Sequence, residues 1–180
     1  MKTVCVPLAP GFEEIEAVTM IDVLRRAGIT VMVAGTELGP IRGSHGITIT
    51  PDTTIDQVDA DALDMVALPG GMPGTLNLRD SSGVRALVDR VALRGRYTAA
   101  ICAAPMVLAA AGLLAGKRAT SHPSVREQIT GSAYRDEAVV EDGTVVTSRG
   151  AGTAMAFALH LVSILTDDET AARLRAAMVA

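Results

Sequence analysis

Residues 2–35 exclude most folds on their own. Lys2 to Ala9 is a nearly continuous apolar run carrying Val4, Val6 and Leu8; Pro10-Gly11 breaks it, a helical pattern starts at Glu13, and Ile29 to Gly35 is apolar again. A strand that is apolar on both faces belongs inside a parallel sheet covered by helices. Strand, helix and strand at about the minimum length force parallel pairing through a right-handed crossover. Ile15, Val18, Ile21, Val23 and Leu24 recur at helical spacing, Glu13 and Glu14 suit the positive N-terminus, Arg25 and Arg26 the last turn, and Gly28 the stop. Glu13 and Glu14 are expected to face water, whereas Glu16, one turn in, lies on the side shared with Pro10-Gly11.

The alternation continues. Pro40 to Asp52 reads as a short hairpin or strand excursion, Asp64 to Leu68 as a buried strand, Ser81 to Leu93 as a helix, and Lys117 to Ser121 as a short strand delivering His122, with Pro123 opening a brief helix. Pro69-Gly70-Gly71-Met72-Pro73-Gly74 is too rich in Gly and Pro to continue a regular element, so backbone must approach something closely there. Two β-type runs flank Asp142-Gly143, the signal for a two-residue hairpin. Ser148 to Gly152 is a second glycine-bearing loop, Thr153 is expected to cap a long apolar helix, and Asp167-Asp168-Glu169 opens a last amphipathic one. The pattern predicts an α/β fold: one flavodoxin-like domain over residues 1–180, a three-layer sandwich whose mostly parallel sheet has helices on both faces.

With 49% hydrophobic but only 2% aromatic residues, the core must be built from small and aliphatic side chains. A net charge of −4 without a Lys/Arg block argues against nucleic acid, and no apolar run reaches membrane-spanning length. Two cysteines and no signal-peptide pattern fit a reducing cytoplasm.

Chemistry concentrates at Tyr97 to Met106. A β-type run ends at Cys102, and Pro105 opens a short apolar helix that stops at Gly112. This is the pattern of a nucleophile elbow, in which the neighbours two positions away, here Ala100 and Ala104, must be small. Helix N–H dipoles there are expected to lower the thiol pKa. A lone cysteine in an apolar run is also ordinary packing, and the elbow pattern tips the balance toward function. Sites in such sheets lie at the C-terminal ends of the strands, so the loops at Gly11–Glu16 and Pro69–Gly74 should meet the elbow. Glu16 either decorates the helix N-terminus like Glu13 and Glu14 or projects into this crevice, where only its protonated form would stabilise a neighbouring thiolate, which predicts a raised pKa for that carboxyl. Gly71 and Ala103 N–H groups are natural oxyanion donors unless Gly70-Gly71 is only a tight turn, and His122 either orients or deprotonates the cysteine or is an ordinary loop residue. No metal is expected, because His45 and His160 lack ligand spacing with Cys102 or with a carboxylate pair, and no dinucleotide or phosphate-loop motif calls for a cofactor.

Six motifs, in order and spacing, resemble the ThiJ/PfpI superfamily and within it the small DJ-one branch. They are Leu8-Ala9-Pro10-Gly11-Phe12-Glu13-Glu14-Ile15-Glu16-Ala17-Val18, Asp22 to Gly28, Leu68-Pro69-Gly70-Gly71, Ala99-Ala100-Ile101-Cys102-Ala103-Ala104-Pro105, Thr120-Ser121-His122-Pro123 and Thr147-Ser148-Arg149-Gly150. Departures fall at His45, where some relatives place an arginine, at Gly43 and Thr50, where some place cysteines, and at Ala151, where proline is common. The resemblance implies a homodimer with Cys102 as reactive cysteine, Glu16 as its protonated partner, His122 nearby, and Gly70, Gly71 and Ala103 around the oxyanion. It further implies a cofactor-independent glyoxalase that turns methylglyoxal into lactate without glutathione, with deglycation of glycated substrates as a related activity. A redox sensor or oxidation-regulated chaperone using Cys102 is the alternative. A peptidase fits worst, since no carboxylate backs His122.

Overall fold

The computed structural model describes residues 2–180. In chain order the elements are β1 (Thr3–Leu8), α1 (Glu14–Arg26), β2 (Thr30–Gly35), β3 (Ile41–Arg42), β4 (Thr48–Ile49), β5 (Thr53–Thr54), β6 (Met65–Leu68), α2 (Gly74–Asp80), α3 (Ser82–Leu93), β7 (Tyr97–Ile101) and α4 (Pro105–Ala110), then β8 (Arg118–Ala119), β9 (Ala133–Tyr134), β10 (Val139–Asp142), β11 (Val145–Ser148), α5 (Ala154–Leu165) and α6 (Asp168–Met178). Seven strands form one sheet in the order β10-β11-β7-β6-β1-β2-β5, parallel throughout except for β10 against β11. This is the flavodoxin-like α/β architecture expected from the alternation.

Side-chain alternation explains why the strands read as continuous apolar runs. Val4, Val6 and Leu8 of β1, Met65 and Ala67 of β6, and Ala99 and Ile101 of β7 enter one core with α1 and α5. Cys5, Val66, Leu68 and Ala100 point the other way, into a second core with α3 and α4. Successive strand residues face opposite sides, so a sheet covered twice needs apolar residues at every position. Phe12 and Phe157, the only phenylalanines, both lie in the first core.

Three local expectations shift and one unassigned stretch gains a helix. Ile15 and Val18 of α1 are 58% and 48% exposed, and the helix turns Ala17, Met20, Val23 and Leu24 inward instead. Helix α2 fills the stretch between the expected glycine loop and the Ser81 helix, to which no element is assigned from sequence, because Thr75 N–H finds the Gly71 carbonyl at 2.8 Å and Asn77 N–H the Pro73 carbonyl at 3.0 Å. In the late hairpin Asp142 pairs with Val145, so the turn residues are Gly143 and Thr144, one position on. Gly143 takes the left-handed φ of +63°, and the freed Asp142 carboxylate accepts Arg118 N–H at 3.0 Å. Thr153 turns its hydroxyl back onto Gly150 rather than capping α5.

The topology fixes where chemistry can occur. From β1 the chain winds one way to β2, and from β6 the other way to β7, so the loops after β1 and β6 lie side by side at a switch point. They pack backbone on backbone: Glu13 N–H donates to the Gly70 carbonyl at 2.9 Å and Gly74 N–H to the Gly11 carbonyl at 3.1 Å. A Cβ on Gly71 would lie 2.4 Å from Glu13 N, and one on Gly74 would lie 2.6 Å from Gly11, so the glycines of this loop are there for contact with the β1 loop.

Candidate active site

Cys102 follows β7 directly and has φ of +64°, a left-handed conformation that costs a residue with a Cβ. The turn is pinned on both sides. Cys102 N–H donates to the Ser148 carbonyl at 3.0 Å, and its carbonyl accepts His122 N–H at 2.8 Å. The thiol is half-buried and free, while Cys5 is fully buried in the second core and its thiol is pushed up to about 12 by burial. The two cysteines therefore sit in different surroundings, Cys102 partly open to solvent and Cys5 packed.

Three elements converge on the sulfur. From α1 comes Glu16, completely buried, with Oε2 accepting Gly70 N–H at 2.8 Å and Oε1 without a hydrogen-bond partner. From the β6 loop comes Gly71 N–H, and from the elbow Ala103 N–H; both favour negative charge on Cys102. Gly70, expected among the oxyanion groups, commits its N–H to Glu16 and serves the site by orienting that carboxyl. A Cβ there would lie 2.7 Å from Cys102 Cβ and 2.8 Å from Glu16 Oε2, so no other residue fits.

Burial pushes the Glu16 carboxyl up to about 7, against the pull of the Gly70 N–H and the Cys102 thiol, and the Glu13 charge adds to the rise. An unpartnered buried oxygen is far less costly on a neutral carboxyl than on a carboxylate, which is the same effect seen in hydrogen-bond terms. The thiol does not show the lowering expected at a helix start. Burial and the charge Glu16 carries when ionised push it up to about 12, against the Ala103 and Gly71 N–H groups. Helix α4 has only six residues and begins three positions beyond the cysteine, so the two individual N–H groups matter more than a macrodipole.

His122 sits exposed on the far wall. Its Nδ1 accepts Ser124 N–H at 3.2 Å and lies 2.7 Å from Ser124 Oγ. A backbone N–H can only donate, so the neutral ring carries its proton on Nε2. The Cδ2 edge of the ring faces Gly150, where a Cβ would stand 3.6 Å from that carbon and 3.9 Å from Cys102 Sγ. Gly150 thus forms a wall between His122 and Cys102. It is held by Thr153, whose hydroxyl accepts Gly150 N–H at 3.1 Å and lies 2.7 Å from Ser148 Oγ.

Glu14 is expected to face water and His45 to lack a carboxylate pair, and the structure corrects both. Glu14 is 4% exposed: Oε1 accepts His45 N–H at 2.6 Å and Ile47 N–H at 3.3 Å, while Oε2 meets His45 Nδ1 at 3.0 Å and Ser44 Oγ at 3.2 Å. Burial alone would raise this carboxyl, but the hydrogen bonds from His45 and Ile47 outweigh it and hold the group at about 2. His45, expected to lack a carboxylate pair, has Glu13 at 3.8 Å as well. The β3–β4 hairpin brings it back onto the start of α1 across 31 residues of chain, a contact no local pattern shows.

A flavodoxin-like sheet with a cysteine on a left-handed turn beside a buried carboxyl defines the class. The DJ-1/PfpI family model matches residues 2–164, and the chain belongs to that family. It is 46% identical over 171 residues to the Drosophila melanogaster protein dj-1beta, covering 93% of this chain and 91% of that one. The glutathione-independent glyoxalase DJR-1.2 of Caenorhabditis elegans is 38% identical, covering 87% and 84%, and the deglycase TK1284 of Thermococcus kodakarensis is 33% identical, covering 87% and 95%. The structure of oxidized Toxoplasma gondii DJ-1 superposes with a TM-score of 0.96 at 38% identity, covering 99% and 98%.

Proposed function

We propose that the chain is a glutathione-independent glyoxalase that converts methylglyoxal to lactate without a cofactor, with glycated dicarbonyl adducts as a second substrate class. The carrying observation is a half-buried cysteine on a φ of +64° beside a buried carboxyl pushed up to about 7. When the shared proton sits on Glu16, its charge no longer opposes the thiolate, and the Gly71 and Ala103 N–H groups remain to stabilise sulfur.

The Cys102 thiolate adds to the aldehyde carbon and forms a hemithioacetal alkoxide, which the Gly71 and Ala103 N–H groups hold and the Glu16 proton neutralises. Glu16, now ionised, removes the hydrogen of that carbon. The electron pair moves to give an enediolate whose ketone-derived oxygen faces His122 Nε2–H. Returning the proton to the neighbouring carbon yields a lactoyl thioester, and water cleaves it to lactate and thiolate. One water is consumed and no electrons leave the substrate. The test is lactate formed over many turnovers, lost in Cys102→Ala and Glu16→Gln.

A redox sensor or redox-regulated chaperone is the second reading, favoured by the exposure of Cys102 beside a fully buried Cys5 and by the oxidized state of one close structural relative. Two peroxides would convert the thiolate to sulfinate and two waters, with the Glu16 proton and the same N–H groups holding the product. Peroxide that adds two oxygens to Cys102 and changes partner binding without lactate chemistry supports it.

The outward face of α1 supports a homodimer. Ile15 and Val18 are joined by Ile47, 58% exposed on the adjoining hairpin, and by a groove of about 250 Å³ between Val18, Ile21 and Ile49. Such a patch on helix and hairpin suits a second copy of the chain. Among the described residues no helix is long and apolar enough to cross a membrane. A reactive free thiol suits the reducing cytoplasm.

A further inference from the structure

Glu13 is tied to the Cys102–Glu16 pair by two hydrogen bonds of its own, which a third closes into a ring. Its Oε2 accepts Glu16 N–H at 2.9 Å, its own N–H donates to the Gly70 carbonyl at 2.9 Å, and Gly70 N–H in turn holds Glu16 Oε2 at 2.8 Å. The helix start, the β6 loop and the buried carboxyl therefore form one closed ring of hydrogen bonds. The ionisable groups facing Glu16 are Glu13 from its own helix and Cys102 from the elbow, and the β6 loop presents the Gly70 N–H. Glu14, between the two glutamates in sequence, points away to the hairpin, where its donors hold it ionised, and His45 of that hairpin stands 3.8 Å from the other oxygen of Glu13.

We propose that Glu13 is a positioning residue for the reactive pair: its carboxylate fixes the backbone of Glu16 and its charge biases the shared proton toward the Glu16 carboxyl and away from sulfur. The Glu13 charge raises the Glu16 carboxyl, whose backbone N–H its own carboxylate holds. A cap here accordingly does more than start a helix. An uncharged cap such as serine would satisfy Glu16 N–H equally well, so the excess of Glu13 over serine is its charge.

This rests on the Cys102–Glu16 pair being the reactive unit, and its test reads thiol chemistry rather than lactate, so failure of the glyoxalase reading leaves the outcome intact. Iodoacetamide alkylation of Cys102 is followed by intact mass across pH, with the melting temperature of each protein; buried Cys5 does not compete. Glu13→Gln and Glu13→Ser both keep a capping oxygen and remove the charge. Each should slow alkylation near neutral pH by roughly threefold, equivalent to about half a pK unit at ~1.4 kcal/mol per unit. In a Glu16→Gln background the same substitutions should change nothing, since the effect passes through Glu16. A purely structural cap would slow alkylation equally in both backgrounds and track the melting temperature. That result, or alkylation by both variants at the native rate, overturns the proposal.

Discussion

Gly70 joins the two reactive groups: its N–H binds Glu16 Oε2 at 2.8 Å, and the side chain it lacks would stand 2.7 Å from Cys102 Cβ. Gly70→Ala must therefore move the elbow, the carboxyl or both. Overpacking of this kind costs about 1–3 kcal/mol. The variant should fold with a lower melting temperature and lose most Cys102 alkylation at neutral pH; a native alkylation rate would mean that the carboxyl does not act on the thiol.

Glu16 also gives stability a sign with pH. Its folded carboxyl is raised from 4.5 to about 7, so between those values the folded form keeps a proton that the unfolded chain releases. Stability therefore falls as pH rises through that window, by about 3 kcal/mol at ~1.4 kcal/mol per unit. Glu16→Gln should melt higher than the native chain at neutral pH and identically below the window, a comparison for calorimetry across pH.

Glu14 works in the opposite sense. Held at about 2 by the hairpin donors, it stabilises the fold above its unfolded value of 4.5 and loses that contribution as pH falls toward 2. Glu14→Ala removes the shared acceptor of the hairpin donors and should cost about 2 kcal/mol at neutral pH. Amide exchange should show the cost concentrated at Ser44 to Ile47.

His122 presents a proton on Nε2, since Nδ1 accepts from Ser124 N–H. His122→Gln, which keeps an N–H donor, should retain about tenfold more lactate-forming activity than His122→Ala, within the range that general acid catalysis spans. Equal activities would assign the ring no donor role.

The outward face of α1 tests assembly. Val18→Asp adds a charge to an exposed position, so it should leave the fold intact while halving the mass in solution by light scattering. An unchanged mass removes this face as the interface.

The fold was legible because its signals are local. Doubly covered strands read as unbroken apolar runs from Val4 to Leu8 and Met65 to Leu68, and Gly28 and Gly112 mark helix ends by their left-handed φ of +77° and +74°. The Cys102 elbow and the inward turn of Glu16 are likewise local, a matter of small neighbours and helix phase. What the sequence hid is long-range. Whether Ile15 and Val18 or Met20 and Leu24 face the core depends on where α1 docks, and the same docking buries Glu14. The commitment of Gly70 N–H, the hairpin closure on Glu14 and the Gly150 wall each join segments tens of residues apart, where no spacing rule reaches.

The central claim is that Cys102 and Glu16 act together on a dicarbonyl. Lactate from methylglyoxal, measured in a buffer without amines or thiols for the native chain, Cys102→Ala and Glu16→Gln, tests it most directly. The account predicts many lactates per native chain and none from either variant. Reversible uptake of the aldehyde by all three, without lactate, would contradict it.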